Sequence, residues 1–273
     1  MPPSTTKSAG PSGDATSASA LPAQTFVQRM SKLILSVQFL WFVGHLVTVI
    51  QALTYALFAR YGAGGPWNYA KAYYGTLLSY GIIMYKAHGI PQISVAYLHR
   101  ILADENSWYF ALALNWAVSK PLLVTLLPYT VFSLFHSLNY LRSEVVPALL
   151  PPAQHPTITP RVQDAILRLV KSYQNPALRL VAFAEVWFLF PTITFGVLLG
   201  WTSFMAPLLY ARFLSFRYMT SPLTKAAFSE LRTRSDLLMA HPQVPPAVKK
   251  IYDAARQQVT KMGEAMQPQA QAQ

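Results

Sequence analysis

Residues 177–217 read ALRLVAFAEVWFLFPTITFGVLLGWTSFMAPLLYARFLSFR, and this stretch decides the fold class of the chain. It is predominantly apolar over 178–210, where Glu185 is the one acid. A straight helix of that length, rising about 1.5 Å per residue, would measure roughly 50 Å, whereas the hydrocarbon core of a bilayer is about 30 Å thick. We therefore expect a membrane segment that is too long for one straight span. We expect Pro191 and Pro207 to bend or break this segment.

The composition also indicates a membrane protein. Hydrophobic residues make up 53% of the 273 residues and charged residues 12%, whereas about a quarter of a soluble domain is charged. The net charge of +12 favours cytoplasmic-side Lys and Arg and contact with anionic lipids over nucleic-acid binding, because these residues are spread beside apolar runs. The chain contains no Cys, which excludes disulfides and thiolate metal sites. We predict an all-α integral membrane protein.

Two shorter apolar runs precede the long stretch. Residues 33–59 contain no Asp, Glu, Lys or Arg and predict a tilted span. Residues 69–98 predict a second span, although Lys86, His88 and Pro91 interrupt its second half. Snorkelling of the long lysine side chains would extend this shorter apolar core toward both interfaces.

A second over-long run covers 108–141, and Lys120 and Pro121 interrupt it in the middle. Two interpretations are open, because a charge inside a membrane is costly and a proline breaks helices. The run folds back at this point as a re-entrant hairpin, or it forms one kinked span with Lys120 facing other helices. The same alternatives, hairpin or kinked span, apply to 178–210.

An amphipathic helix is predicted over 160–174, between the two over-long runs. Thr159 is a suitable N-cap, Pro160 a suitable first residue, and Pro176 would end the helix after Asn175. The apolar residues recur at helical spacing and predict a face that lies on the membrane surface. That face consists of Val162, Ile166 and Leu169 with their neighbours.

Basic amphipathic helices are predicted over 218–267, after the last apolar run. One begins at Ser221-Pro222 and the next at Pro245-Pro246. The last helix carries a narrow apolar stripe that we assign to the membrane surface, and its members are Val248, Ile251, Tyr252, Ala255, Val259 and Met262.

The chain thus divides into a helical transmembrane domain, 26–217, the C-terminal helices, and two polar tails. The tails cover 1–25 and 268–273, and their low-complexity composition predicts disorder.

Charge bias helps to choose between the topologies. If all four apolar regions crossed once, the basic link 142–179 would lie opposite the N-terminus, against the positive-inside tendency. If the first two runs cross and the two over-long runs are hairpins, both termini and this link face the cytosol. Only Arg60 and Lys71 then lie on the other side. We favour a model with at least one hairpin and with cytosolic termini.

Few side chains suggest chemistry. His99 and Asp104 have the His-x4-Asp spacing of glycerolipid acyltransferases, in which the histidine acts as a base, but the Gly-rich acceptor signature is missing. Glu185 and Lys120 are intramembrane polar residues and therefore candidates for a channel or transporter lining. For Glu185 we favour a structural ion pair or an interhelical hydrogen bond, and Arg179 is the nearest cation in sequence. We expect no catalytic, cofactor-binding or metal-binding residues.

The sequences LRLVAFAE at 178–185 and YARFLSFRY at 210–218 resemble the transmembrane protein 33 family, whose fungal members include small pore-membrane nucleoporins. The resemblance runs from about residue 26 to 234. The positions that carry it are Arg179, Glu185, Pro191, Pro207, Arg212, Phe213, Leu214, Arg217 and Tyr218.

This resemblance implies a protein of the endoplasmic reticulum and nuclear envelope. It implies that the protein shapes tubular membrane together with reticulon-type partners. It also implies a role in nuclear pore assembly or distribution together with nucleoporins. The C-terminal tail is then expected to bind curved membrane and an import receptor. We expect a non-enzymatic membrane-shaping and scaffold protein. The alternatives are a channel or transporter, and a lipid acyltransferase.

Overall fold

The computed structural model of this chain describes residues 25–58 and 65–266, with the side chains of 255 and 258–266 left undescribed. Predictions for the tails, 1–25 and 268–273, therefore lie outside the described residues, apart from Thr25. Within the described ranges the regular structure is helical and no β-strand is present. The helices are α1 (Phe26–Ile34), α2 (Val37–Phe58), α3 (Gly65–His88), α4 (Val95–Leu102), α5 (Glu105–Ala117), α6 (Leu126–Tyr140), α7 (Val146–Leu149), α8 (Ile158–Ala184), α9 (Phe190–Leu198), α10 (Met205–Thr220), α11 (Pro222–Ala240) and α12 (Pro246–Met266).

Helices α2 and α3 form an antiparallel pair. At one end Lys86 Nζ donates to Gln38 Oε1 at 2.5 Å, and at the other the rings of Tyr55 and Tyr69 lie 5.4 Å apart. Helix α2 has 22 residues, about 33 Å of helix, which matches the hydrocarbon thickness. By length and hydropathy α2 is one of two described helices able to cross a membrane, the other being the continuous helix Ile158–Leu198.

The α2–α3 contact depends on small residues. A Cβ atom on Gly75 would lie 2.6 Å from the carbonyl oxygen of Gly44, and one on Gly44 would lie 2.7 Å from the carbonyl oxygen of Gly75. Beside them, Thr48 Oγ1 lies 3.2 Å from the Ala72 carbonyl. Backbones that approach so closely are typical of helices packed inside membranes.

The second predicted span, 69–98, extends too far at its C-terminal end. Helix α3 ends at His88, Gly89 adopts a left-handed φ of 73°, and the short helix α4 follows. A left-handed glycine after the last helical residue is a common helix terminator. Helix α4 was not predicted, although Ser94 caps it by accepting a hydrogen bond from Tyr97 N at 3.1 Å.

The over-long run 108–141 is a hairpin. Helix α5 ends at Ala117 and α6 begins at Leu126, so Lys120 and Pro121 lie in the turn between them. The rings of Tyr109 and Phe132 lie 5.3 Å apart, and this pairing of an early α5 residue with a later α6 residue requires the two helices to be antiparallel.

The run 178–210 reverses in the same way. The helix continues to Leu198, a turn follows, and α10 returns antiparallel, with the rings of Phe190 and Tyr210 stacked 6.4 Å apart. The reversal occurs at Gly200, whose φ is 67°, so the run is not broken at Pro191 or Pro207. The other alternative, that these prolines bend the run, stays a prediction. Pro207 lies in the first turn of α10, where backbone N–H groups have no intrahelical partner.

Two prolines inside long helices each follow a π turn. The π turn Leu141–Val145 precedes Pro147, and the π turn Glu185–Leu189 precedes Pro191. A proline removes an N–H donor and its ring clashes with the carbonyl four residues earlier. The wider π turn provides a local break in that hydrogen-bond register, which explains why the helix runs on past Pro191.

The prediction of a separate amphipathic helix over 160–174 is also wrong in its bounds. Helix α8 begins at Ile158 and passes through Pro176. Thr159 does not cap it, because its hydroxyl donates to the Leu150 carbonyl at 2.7 Å. Burial of Val170 before the proline and of Val181 after it keeps the helix continuous, since tertiary packing overrides the local preference.

The ends of α2, α5 and α9 and the starts of α3, α6 and α10 lie together, and we call this the turn end. Two contacts establish the grouping: Tyr69 and Thr125 share a hydrogen bond of 2.9 Å, and Lys120 Nζ donates to the Gly200 carbonyl at 2.8 Å. The opposite end, which we call the basic end, carries α1, α4, α7 and the start of α11.

Candidate functional site: the basic end and a buried charge cluster

Helix α1 begins with a capping box at Thr25. Gln28 N donates to Thr25 Oγ1 at 3.3 Å and Thr25 N donates to Gln28 Oε1 at 2.9 Å. Arg29 Nε donates to the Ala148 carbonyl at 3.2 Å, which ties α1 to α7. Leu35, at the end of this helix, is 84% exposed. An exposed apolar side chain beside cations is typical of a helix at a membrane surface.

Helix α4 has the same character. Tyr97 is buried and faces the bundle, whereas Val95, Leu98 and Leu102 are exposed. The guanidinium of Arg100 lies 5.6 Å from the Tyr97 ring centroid. The apolar residues at 95, 98 and 102 recur at helical spacing, and that pattern was the signal available in the sequence.

The predicted membrane face of α8 is divided in the structure. Val162 and Ile166 are half-buried and Leu169 is 45% exposed. This part of α8 packs beside α6 and the following turn, where Gln163 Nε2 donates to the Arg142 carbonyl at 2.9 Å. Only part of the predicted face is therefore open to a bilayer.

The C-terminal helices begin where the sequence predicts, and Ser221 Oγ accepts from Thr224 N at 3.3 Å. Helix α11 packs on the last hairpin, because Ala227 is fully buried and its carbonyl accepts from Trp187 Nε1 at 3.2 Å. Helix α12 folds back toward α11, since Tyr252 donates to Asp236 Oδ1 at 2.7 Å.

The stripe predicted on α12 is exposed where the structure describes it. Ile251 is 71% exposed and Val248 43%, whereas Tyr252 is half-buried. Desolvation and the neighbouring Asp236 carboxylate raise the pKa of Tyr252 above its ordinary value. The side chains of the remaining predicted members, Ala255, Val259 and Met262, lie outside the described residues.

A charge cluster lies inside the bundle near the basic end. Glu185 is fully buried, its Oε1 accepts from the Tyr109 hydroxyl at 2.8 Å, and its Oε2 lies 3.6 Å from Arg217 Nη2. Arg217 also forms a short ion pair with Glu105, and its guanidinium lies 5.8 Å from the Tyr109 ring centroid. The carboxylate of Glu185 is thus paired with Arg217 and not with Arg179, the nearest cation in sequence.

This cluster joins three helical segments that are distant in sequence. Glu105 begins α5, Glu185 begins a π turn, and Arg217 lies near the end of α10. A buried charge is tolerated when it is paired and hydrogen-bonded. The cavity beside the cluster measures about 10 Å³, which is room for about one water molecule. The arrangement is suited to clamping helices.

The other predicted polar and motif residues differ in burial. Lys120 is exposed at the turn end, bonded to Gly200, and therefore shares no site with Glu185. Of the motif positions, Phe213, Leu214 and Arg217 are buried in the bundle. The exposed motif residues are Arg179, Arg212 and Tyr218, and the half-buried ones are Pro191 and Pro207.

The acyltransferase spacing does not produce a catalytic pair. Asp104 accepts from His88 Nε2 at 2.7 Å and caps α5 by accepting from Asn106 N at 2.9 Å. His99 is exposed on α4. Residues 25–58 and 65–266 bring together no group of three or more His, Asp or Glu side chains that could hold a metal ion.

Comparison with known proteins gives matches that cover nearly the whole chain. The family model described as transmembrane protein 33/nucleoporin POM33 matches residues 20–265. Tetra-spanning protein 1 of Schizosaccharomyces pombe is 32% identical, over 86% of this chain and 88% of its own length. Nucleoporin POM33 of Chaetomium thermophilum is 29% identical, over 84% and 88%.

Transmembrane protein 33 of Homo sapiens is 27% identical, over 59% of this chain and 62% of its own length. None of these relatives is named as an enzyme. No solved structure matches the chain. The prediction of an all-α integral membrane protein is confirmed, and the chain belongs to the transmembrane protein 33/nucleoporin POM33 family.

Proposed function

We propose that this protein shapes or stabilises curved membrane of the endoplasmic reticulum and nuclear envelope, and that it contributes to the tubular reticulum and to nuclear pore assembly. One observation carries the proposal. Helices α1 and α4 expose apolar side chains beside cations, and each adjoins a bundle helix at the basic end. Helix α12, which follows α11, exposes Val248 and Ile251 beside Lys249 and Lys250 in the same way. Insertion of these helices between the headgroups would therefore expand one leaflet of the bilayer.

Three of the hairpin helices are shorter than α2. Helix α5 has 13 residues, α6 has 15 and α10 has 16. These correspond to roughly 20–24 Å of helix, which is less than the hydrocarbon thickness of about 30 Å. Their turns nevertheless lie level with the end of α2, because Tyr69 shares a hydrogen bond of 2.9 Å with Thr125 and Lys120 Nζ donates to the Gly200 carbonyl. The leaflet asymmetry that favours positive curvature is therefore assigned to the surface helices of the basic end.

Charge sets the proposed orientation. Lys71 and Lys120 are the described Lys and Arg side chains near the turn end, whereas Arg29, Lys32 and Lys86 lie at the basic end. By the positive-inside tendency the basic end faces the cytosol, and both termini lie on that side. We extend the proposal to partners. Helix α12 would bind an import receptor or nucleoporins, and the helical bundle would bind reticulon-type proteins.

The two alternative functions have less support. A channel lined by Glu185 and Lys120 would need both side chains on one path, whereas one is enclosed in the ion cluster and the other bonds the Gly200 carbonyl. An acyltransferase would need His99 beside Asp104, whereas Asp104 pairs with His88.

The test uses the full-length chain reconstituted into vesicles that contain anionic lipid, with vesicle diameters measured by electron cryomicroscopy. The native chain should produce small vesicles or tubules, and Ile251→Asp should reduce them because a carboxylate replaces an exposed apolar side chain on the stripe. Gln257→Asp adds the same charge to another exposed position of α12 and should behave like the native chain. Diameters equal to those of protein-free vesicles would overturn the proposal.

A further inference from the structure

A groove of about 370 Å³ opens at the basic end, between α1 and the segment that joins α6 to α7. Arg29 and Lys32 line it on the α1 side and Glu144 lines it on the other. Its apolar wall consists of Leu33, Tyr140 and Pro147. The volume falls in the range of about 300–1,000 Å³ that is usual for small-molecule sites.

The position of the groove places it at headgroup depth. Helix α2 begins at Val37, and its 22 residues match the hydrocarbon core, so its first residue lies at the boundary between hydrocarbon and headgroups. Ser36 and Gln38, on either side of that residue, both line the groove. A ligand in the groove would therefore lie level with phospholipid headgroups.

The charges of the groove are fixed in place on one side. Arg29 Nε donates to the Ala148 carbonyl at 3.2 Å, which holds the guanidinium against the groove wall. Lys86 Nζ donates to Gln38 Oε1 at 2.5 Å, so a third cation lies at the rim. Among the described residues that line the groove, Glu144 supplies the one carboxylate.

We propose that this groove binds a phospholipid with a serine headgroup. Such a headgroup carries a phosphate and a carboxylate, which suit Arg29 and Lys32, and one ammonium group, which suits Glu144. A glycerol headgroup has the same net charge but offers no ammonium group to the carboxylate. A choline headgroup is neutral overall, and its quaternary ammonium has no N–H to donate.

The surface below the groove accommodates the acyl chains. Ile34, Val37 and Leu40 are each about half exposed, at 52%, 54% and 47%. They lie on the segment from the end of α1 to the start of α2, which also carries the groove residues Leu33, Ser36 and Gln38, and an acyl chain would enter the hydrocarbon region there. The groove is separate from α12, so this site goes beyond the proposed membrane-shaping function and survives changes to the α12 stripe.

The experiment titrates the full-length chain in detergent with short-chain phosphatidylserine or phosphatidylglycerol and counts bound lipid by native mass spectrometry. The native chain should bind phosphatidylserine more tightly than phosphatidylglycerol. Lys32→Gln should weaken binding of both lipids, about fivefold for one interfacial cation. Glu144→Gln should remove the preference for serine and leave phosphatidylglycerol binding undiminished. Free phosphoserine should compete poorly, because it has no acyl chains.

The matched control is Arg168→Gln, which removes an exposed cation from α8 away from the groove and should leave both affinities unchanged. Lys32 and Glu144 are exposed, so unchanged thermal transitions would show that both variants fold. Equal affinity of the native chain for the two lipids would overturn the proposal. Equal losses for Lys32→Gln and Arg168→Gln would do the same, since binding would then follow overall charge.

Discussion

Glu185 and Arg217 face each other across the two antiparallel helices of the last hairpin, with 3.6 Å between Glu185 Oε2 and Arg217 Nη2. The Arg217 side chain is only 8% exposed and that of Glu185 is fully buried. Each of the two charges is therefore compensated by the other. Glu105 also pairs with Arg217, and the Tyr109 hydroxyl donates to Glu185. The pair fixes the register in which the hairpin closes against α5.

Replacement of Arg217 should destabilise the fold strongly. Arg217→Met leaves Glu185 buried without its cation, and removal of one partner of a buried ion pair typically costs about 3–5 kcal/mol. The free energy of unfolding in mild detergent measures the effect. Arg212→Met, an exposed arginine on the same helix, is the matched control and should change stability by less than about 0.5 kcal/mol.

A double variant separates charge pairing from lost packing. Adding Glu185→Gln to Arg217→Met removes the uncompensated carboxylate, and part of the stability should return. If Arg217→Met unfolds no more readily than Arg212→Met, the cluster is not a clamp.

The glycine contact between α2 and α3 should tolerate no methyl group. Gly75→Ala places a Cβ within 2.6 Å of the Gly44 carbonyl oxygen, so the helices must separate, at a cost of about 1–3 kcal/mol. Gly81→Ala, on the same helix, meets only a ring atom of Phe110 at 3.8 Å. It should be neutral or stabilising, by up to about 1 kcal/mol, because alanine favours helix. Equal thermal transitions of the two variants would contradict the close contact.

The reversal of the last hairpin should depend on Gly200. Gly200→Ala forces a Cβ-bearing residue into the left-handed region at φ 67°, and we expect a loss of about 1–2 kcal/mol in the free energy of unfolding. The control, Gly65→Ala, introduces a Cβ with nothing within 4 Å and should be tolerated. A neutral Gly200→Ala would argue against this turn.

The sequence predicted the class of the fold and the place where the run 108–141 is interrupted, but not the place where the run 178–210 reverses. The hydrophobic lengths of 108–141 and 178–210 exceed a bilayer, and both runs reverse. Pro191 and Pro207 were misleading, because a π turn accommodates the first and the first turn of α10 accommodates the second. The reversal of 178–210 occurs instead at the left-handed Gly200. Rules based on local sequence include the helix-breaking preference of proline but not the tertiary packing around it.

The charge cluster was beyond prediction for a different reason. Glu185 was recognisable as a buried acid, yet its partners come from α5 and α10, and only the closed hairpin brings them together. Sequence proximity pointed to Arg179, whose guanidinium instead lies 5.7 Å from the Phe183 ring centroid. Pairing inside a helical bundle is decided by tertiary contacts, which a single sequence does not contain.

Because both over-long runs turn back, we expect the link between α7 and α8 to lie on the same side of the membrane as both termini. The chain has no native Cys, so Ala153→Cys provides a single labelling site in that link. In sealed microsomes a membrane-impermeant maleimide added outside should label this cysteine without detergent. Labelling only after the membrane is opened would place the link in the lumen and contradict the account.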